Sequence, residues 1–186
     1  MDLASTFNEV VRLAHDATDP MSGWSSLIGY LEGWAGEPLS IPVVSADEDV
    51  RDLRAQLEAV VKAEPPPAGL NAVYFGLFDT TDDGGREGVG YYVAGVKKFD
   101  PEDGDSLCSP AWWPEGRYLA SAILNSVKEA ELSSAAAGKE EVRALLSYAG
   151  QLGAALLISR FAVRGLFPNL TRVVGFDSGD FAAIAA

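Results

Sequence analysis

Val73-Tyr74-Phe75-Gly76-Leu77-Phe78 and, a short polar interval later, Gly90-Tyr91-Tyr92-Val93-Ala94-Gly95-Val96 decide the fold class. Both stretches are β-branched and aromatic, the composition of strands. Residues 79–85 between them have turn chemistry, which predicts a hairpin. Upstream the pattern is helical. Ser5 is placed to cap a first helix with Phe7, Val10, Val11 and Ala14 on one face, stopped by Asp19-Pro20. Ser22 opens a second, with Trp24, Leu27, Ile28, Leu31 and Trp34 as its stripe. Ser45-Ala46-Asp47-Glu48 is a capping box for a third, which carries Val50, Leu53, Leu57, Val60 and Val61 inward and ends at Pro65-Pro66-Pro67.

Downstream, Pro114 suits a first helical position, with Tyr118, Leu119, Ala122, Ile123 and Val127 as the face behind it. Residues 133–138 read as a linker of small residues. A long helix from about Lys139 follows, with Gly150 and Gly153 inside it suggesting a kink or a close crossing. Gly165 is placed to close it. Residues 171–176 form another strand, and residues 180–184 return across Asp177-Ser178-Gly179. With no strand-helix alternation to build a parallel sheet, the expectation is an α+β fold: a small antiparallel sheet of two hairpins with about five helices packed on it. Residues 1–186 form a single domain, helical over 1–64, with the sheet and two helices over 70–186.

The 186 residues are 48% hydrophobic and 22% charged, enough to bury a core and too apolar for disorder. The net charge of −13 disfavours a nucleic-acid partner. A single cysteine, Cys108, excludes an internal disulfide and a multi-cysteine zinc site, and a single histidine, His15, removes most metal and acid–base schemes. His15 sits beside the first helix's apolar stripe, as a boundary or surface residue does. Neither cofactor nor metal is called for. Residues 1–7 lack a basic signal-peptide region. Residues 152–163 are too short an apolar run for a bilayer and read as a buried helix. A cytoplasmic, bacterial-type protein without membrane attachment is expected.

The acidic excess lies entirely in the first 105 residues, and residues 106–186 balance. It is densest at Asp79, Asp82, Asp83 and Glu87 and again at Asp100, Glu102, Asp103 and Asp105, two segments flanking the second strand. Such carboxylates either keep a surface solvated or steer a basic partner. Trp112-Trp113-Pro114-Glu115-Gly116-Arg117-Tyr118 is the most unusual segment. Adjacent tryptophans cannot both enter one core, so one is buried and the other partly exposed. Trp113 or Trp112 is then a candidate apolar anchor, with Arg117 able to pair a nearby carboxylate, because Trp and Arg dominate binding hot spots.

Catalytic motifs fail one by one. Gly104-Asp105-Ser106-Leu107 resembles the signature of the GDSL esterases, but no histidine follows residue 15 to serve as base. Asp177-Ser178-Gly179-Asp180 resembles the nucleophile segment of chymotrypsin-like proteases, with Asp180 in place of the second glycine, and reads better as a turn. Asp79, Thr81, Asp83 and Gly84 open like an EF-hand loop, but Gly90 stands where the bidentate Glu is required. Gly88-Val89-Gly90 enters a strand, not a helix, and is no phosphate cradle.

A small acidic α+β domain carrying Gly175-Phe176-Asp177-Ser178-Gly179-Asp180, the segment 112–118 and the acidic loops resembles in style the bacterial immunity proteins that neutralise cognate toxins. The resemblance implies a basic protein toxin as partner. The function expected is an acidic protein-binding module, an immunity protein or inhibitor. The alternatives are an enzyme or small-molecule-binding protein with a carboxylate and aromatic pocket near the tryptophans, and an assembly subunit.

Overall fold

The computed structural model describes residues 2–81, 83–85, 87–177 and 179–184. Five helices and a five-stranded sheet make up the fold: α1 (Leu3–Asp16), α2 (Pro20–Ala35), α3 (Ala46–Ala63), β1 (Ala72–Thr81), β2 (Glu87–Val96), β3 (Tyr118–Leu119), α4 (Ala122–Ala136), α5 (Glu140–Ala162), β4 (Thr171–Phe176) and β5 (Phe181–Ala183). The α+β class holds.

The sheet corrects the antiparallel expectation. Its order is β3-β2-β1-β4-β5, and it is mixed. β1 pairs antiparallel with β2, and β4 with β5, but β1 and β4 run parallel from Ala72↔Thr171 to Leu77↔Phe176. The physical reason is the long connection: a parallel pair needs a crossover of a dozen residues or more, and α4 and α5 supply it. Both strands therefore end at the same edge of the sheet.

Other expectations shift by a turn or less, with one exception. Asp19-Pro20 does not end α1 but starts α2, where the Asp19 carboxylate accepts from the Ser22 amide at 2.8 Å and Pro20 takes the first turn. Ser22 and Ser5 thus lie inside helices that Asp19 and Asp2 precede. Ser45 caps α3 as expected. α4 continues through Ala136, well into the supposed linker. The exception is Pro114: it lies in the loop before β3, and α4 begins only at Ala122, capped by Ser121. The carboxylate of Asp49 on α3 completes that helix start, accepting from the Ser121 hydroxyl and the Ala122 amide, both at 2.6 Å, although it is only 4% exposed. A carboxylate suits a helix N-terminus because unpaired amides and the helix dipole converge there.

α5 lies at the centre, with α1, α2, α3 and α4 packed around it and the sheet on the remaining side. By length and composition it would cross a membrane, yet 78% of its apolar window is buried in this fold. Two glycines allow the close crossings: a β-carbon on Gly153 would come within 2.8 Å of Leu27, and one on Gly23 within 2.4 Å of Leu157. Residues 146–150 form a π-turn, one extra residue wound into α5.

Val73, Phe75, Leu77, Tyr91 and Val93 face this helical core. Tyr74, Tyr92, Ala94, Val96 and Val173 form a second cluster on the opposite face, covered by Leu107 and Phe99 from the β2–β3 connection. Leu156 is buried at the middle of α5. Leu156→Ala should lower stability by about 2–5 kcal/mol, read as a drop in the denaturant midpoint; an unchanged midpoint would remove α5 from the core.

Candidate functional site

The face of the sheet away from the helices is built on glycine–aromatic pairs. Gly76 stands opposite Tyr92, Gly90 opposite Phe78 and Gly175 opposite Phe181. In the first two pairs the ring lies over the glycine, where a β-carbon would come within 2.2 Å of it; at Gly175 a β-carbon would meet the Asp180 carbonyl and the Cβ of Phe181, both at 2.5 Å. Tyr74 meets Tyr92 edge-on at 5.9 Å, Phe78 lies 5.8 Å from Tyr92, and Trp113 meets Tyr92 at 5.1 Å. The result is a continuous aromatic platform. The Tyr92 hydroxyl donates to Asp177 at 2.6 Å. Burial, the hydrogen bond and the charge of Asp177 hold that phenol well above the usual tyrosine range.

Over this platform the segment 100–107 folds back to reach the turn after β4. Gly104 packs against Gly179 and the ring of Phe181. Asp100 accepts from the Glu102 amide at 2.9 Å and Asp103 from the Asp105 amide at 3.0 Å, so two of the acidic side chains shape their own loop. Ser106 bonds the backbone of Asp100, with no base beside its hydroxyl. Between loop and platform lies a cleft of about 790 Å³, floored by Tyr74, Tyr92 and Trp113 and walled by Glu102, Asp103, Asp105 and Asp177. No lysine or arginine lines it among the described residues.

The tryptophan pair divides as expected. Trp112 is core, 5% exposed, its indole N–H donating to the Glu64 carbonyl at 3.0 Å. Trp113 is 45% exposed. Arg117 pairs with no carboxylate among the described residues. Its guanidinium lies between the rings of Trp113 and Tyr118, at 4.5 and 4.6 Å, and donates to the Pro114 carbonyl.

The two acidic segments do not come together. Asp79 and Glu87 prove to be strand residues, and they face the helical layer, where they approach Lys128 of α4 at 3.4 and 3.9 Å. Asp83 is exposed in the turn, and Asp82 lies outside the described residues, as does Ser178.

Lys128 is a residue that reading the sequence as surface charge misses. It forms an ion pair with Glu131 at 2.8 Å, with the two side chains 8% and 3% exposed. Burial opposes its charge, but the hydrogen bond and charges of Glu131 and Asp79 outweigh it and hold the ammonium above the ordinary lysine range. The signal was present: Lys128 and Glu131 continue the inward spacing of Leu124 and Val127. His15 lies beside β5, its Nε2 3.0 Å from the Ala183 carbonyl oxygen.

Compared with protein-family models, characterised proteins and solved structures, the chain gives no significant match.

Two outcomes follow from this geometry. Gly76→Ala should destabilise the protein by about 1–3 kcal/mol, because the methyl meets the Tyr92 ring in a packed face; equal stability of variant and wild type in urea would show that the platform yields. Lys128→Met should cost about 3–5 kcal/mol by leaving Glu131 buried and alone, and Lys128→Met/Glu131→Leu should recover most of that loss. Denaturation of both variants checks it, and a double variant no better than the single would deny the pairing.

Proposed function

We propose that the protein is a binding module for a basic protein segment, which it takes into the cleft between the aromatic platform and residues 100–107. One observation carries this reading: a cleft floored by aromatic rings and walled by four carboxylates, with no basic residue among the described residues that line it. Aromatic faces attract ammonium and guanidinium groups through their quadrupole, and the attraction grows as water is excluded. Arg117 over Trp113 shows the same chemistry within the chain. The carboxylates add steering for a cationic partner. A volume of about 790 Å³ takes more than one side chain, which fits a peptide segment better than a lone ion. Neutralisation of a basic toxin, as immunity proteins do, is the biological role this reading favours, and the net charge of −13 supports it.

On this reading some of the earlier candidates take roles, and Asp177 joins them. Asp103, Asp105, Glu102 and Asp177 contact the cation, Asp100 shapes the loop, and Trp113 is the anchor. Trp112 supports it from the core.

An octa-arginine peptide tests the reading. It should quench Trp113 emission and slow alkylation of Cys108, which is exposed and lines the cleft. Association should slow as salt rises, since exposed charges are screened over about 8 Å at physiological ionic strength. Asp100→Asn/Asp103→Asn/Asp105→Asn, which keeps the loop's side-chain acceptors, should lower the on-rate. Trp113→Ala should raise the off-rate by about tenfold, as loss of a central aromatic does. Binding that is indifferent to salt and to both variants would return these carboxylates to a solvating role.

A further inference from the structure

A second cavity, of about 340 Å³, lies on the helical side of the sheet, at the carboxyl ends of β1 and β4 and against the π-turn of α5. Its size is within the range of small-molecule sites. Its apolar walls are Leu77, Val89, Tyr148 and Phe176, the last two stacked at 5.7 Å. Two buried polar groups face it. Gln151, the first residue after the π-turn, is 3% exposed, and neither the oxygen nor the nitrogen of its carboxamide has a hydrogen-bond partner among the described residues. Glu131 is 2% exposed; one of its oxygens takes Lys128, and the other has no partner among the described residues.

Buried amides and carboxylates are satisfied in nearly all folded proteins, so unsatisfied ones converging on a cavity point to what fills it. The unmet groups are the two N–H donors and the carbonyl acceptor of Gln151 and an acceptor on Glu131. Their complement is a molecule with N–H donors beside a carbonyl acceptor. The remaining charges are Asp79, Asp177 and Asp180, against Lys128 as the cation lining the cavity among the described residues. That excess of carboxylates rejects an anion. The aromatic and aliphatic walls favour a flat apolar body. The cavity also lies beside a π-turn, a feature frequent at functional sites.

We propose that this cavity binds a small uncharged heterocycle with an amide-type edge, the N–H beside C=O of a purine lactam or a nicotinamide-like ring. The proposal is independent of the cationic cleft, which lies on the other face of the sheet.

The full-length chain, labelled with ¹⁵N, is titrated with guanosine, nicotinamide and guanosine monophosphate. The side-chain amide of Gln151, assigned by through-bond correlation, should shift with guanosine or nicotinamide. The monophosphate should bind more weakly than guanosine. Gln151→Met should weaken binding by about tenfold or more, because the amide bonds are lost. The same variant, unliganded, should melt higher than wild type, since it removes a buried amide with no partner. No shift of the Gln151 amide with either neutral probe would overturn the proposal and leave the cavity to solvent. So would a Gln151→Met chain that binds like wild type, or monophosphate binding tighter than guanosine. The wild-type titration stands whether or not the variant folds.

Discussion

The fold depends on enclosing α5. From Gln151 to Ser159 every residue of this helix is buried, so there is no face on which it can meet water. An amphipathic helix needs one neighbour; a helix apolar all round must be surrounded. Four other helices and the sheet do this, and their sequence order follows from it: three helices before the sheet wrap one flank, and α4 covers another. Enclosure also makes every polar group on α5 consequential. Ser159 is satisfied twice, by the Ala155 carbonyl at 2.6 Å and by the hydroxyl of Tyr91. Gln151 is not satisfied by the protein, and this asymmetry within one helix marks the cavity beside it.

Packing helices around a buried one brings their ends into the interior, where free backbone groups are costly. Charged side chains from other elements resolve this with the sign that each helix end requires. Asp49 reaches the amino end of α4. Arg160 reaches the carboxyl end of α1, donating to the carbonyls of Ala14 at 3.2 Å and Ala17 at 2.6 Å. Arg54 does the same for α5 at Ala162 and Arg164, at 3.3 and 2.7 Å. Negative charge at amino ends and positive at carboxyl ends agrees with the helix dipole. Several of the chain's few basic residues are therefore committed to architecture, which leaves the acidic excess to dominate the surface.

Much of this was legible in the residues. The paired aromatic stretches announced β1 and β2, the Ser45 cap announced α3, and the apolar run around Leu156 announced a buried helix. The parallel pairing of β1 with β4 was not legible, because Arg172-Val173-Val174 reads as a strand with any partner and its neighbour lies about a hundred residues away. β3 escaped because two residues on a sheet edge have no periodicity, and Pro114 suggested a helix where tertiary contacts with β2 hold a loop. Of the site residues, the acidic loop and Trp113 stood out by composition. Gln151 and Glu131 did not, since a polar residue in a helix is ordinarily solvated and only the enclosing fold makes it unusual.

The parallel register gives one sheet end two chemistries. Phe176 and Asp177 line both cavities. The Asp177 amide donates to the Leu77 carbonyl, which continues the β1–β4 ladder past its last pair, and its carboxylate turns to Tyr92 on the open face. On that face four carboxylates meet aromatic rings with no lysine or arginine among the described lining residues, the arrangement on which the proposed cation binding rests. On the helical face Lys128 offsets Glu131, and what remains unmet is an amide and a carboxylate oxygen, an arrangement that reads hydrogen-bond pattern rather than charge. The difference arises from strand alternation and the path of one connection: Asp79 and Glu87 fall on the inward side with α4's lysine, while residues 100–105 are carried over the outward side by the β2–β3 connection. A register slip of one residue in β1 would exchange the two faces and abolish both proposed sites.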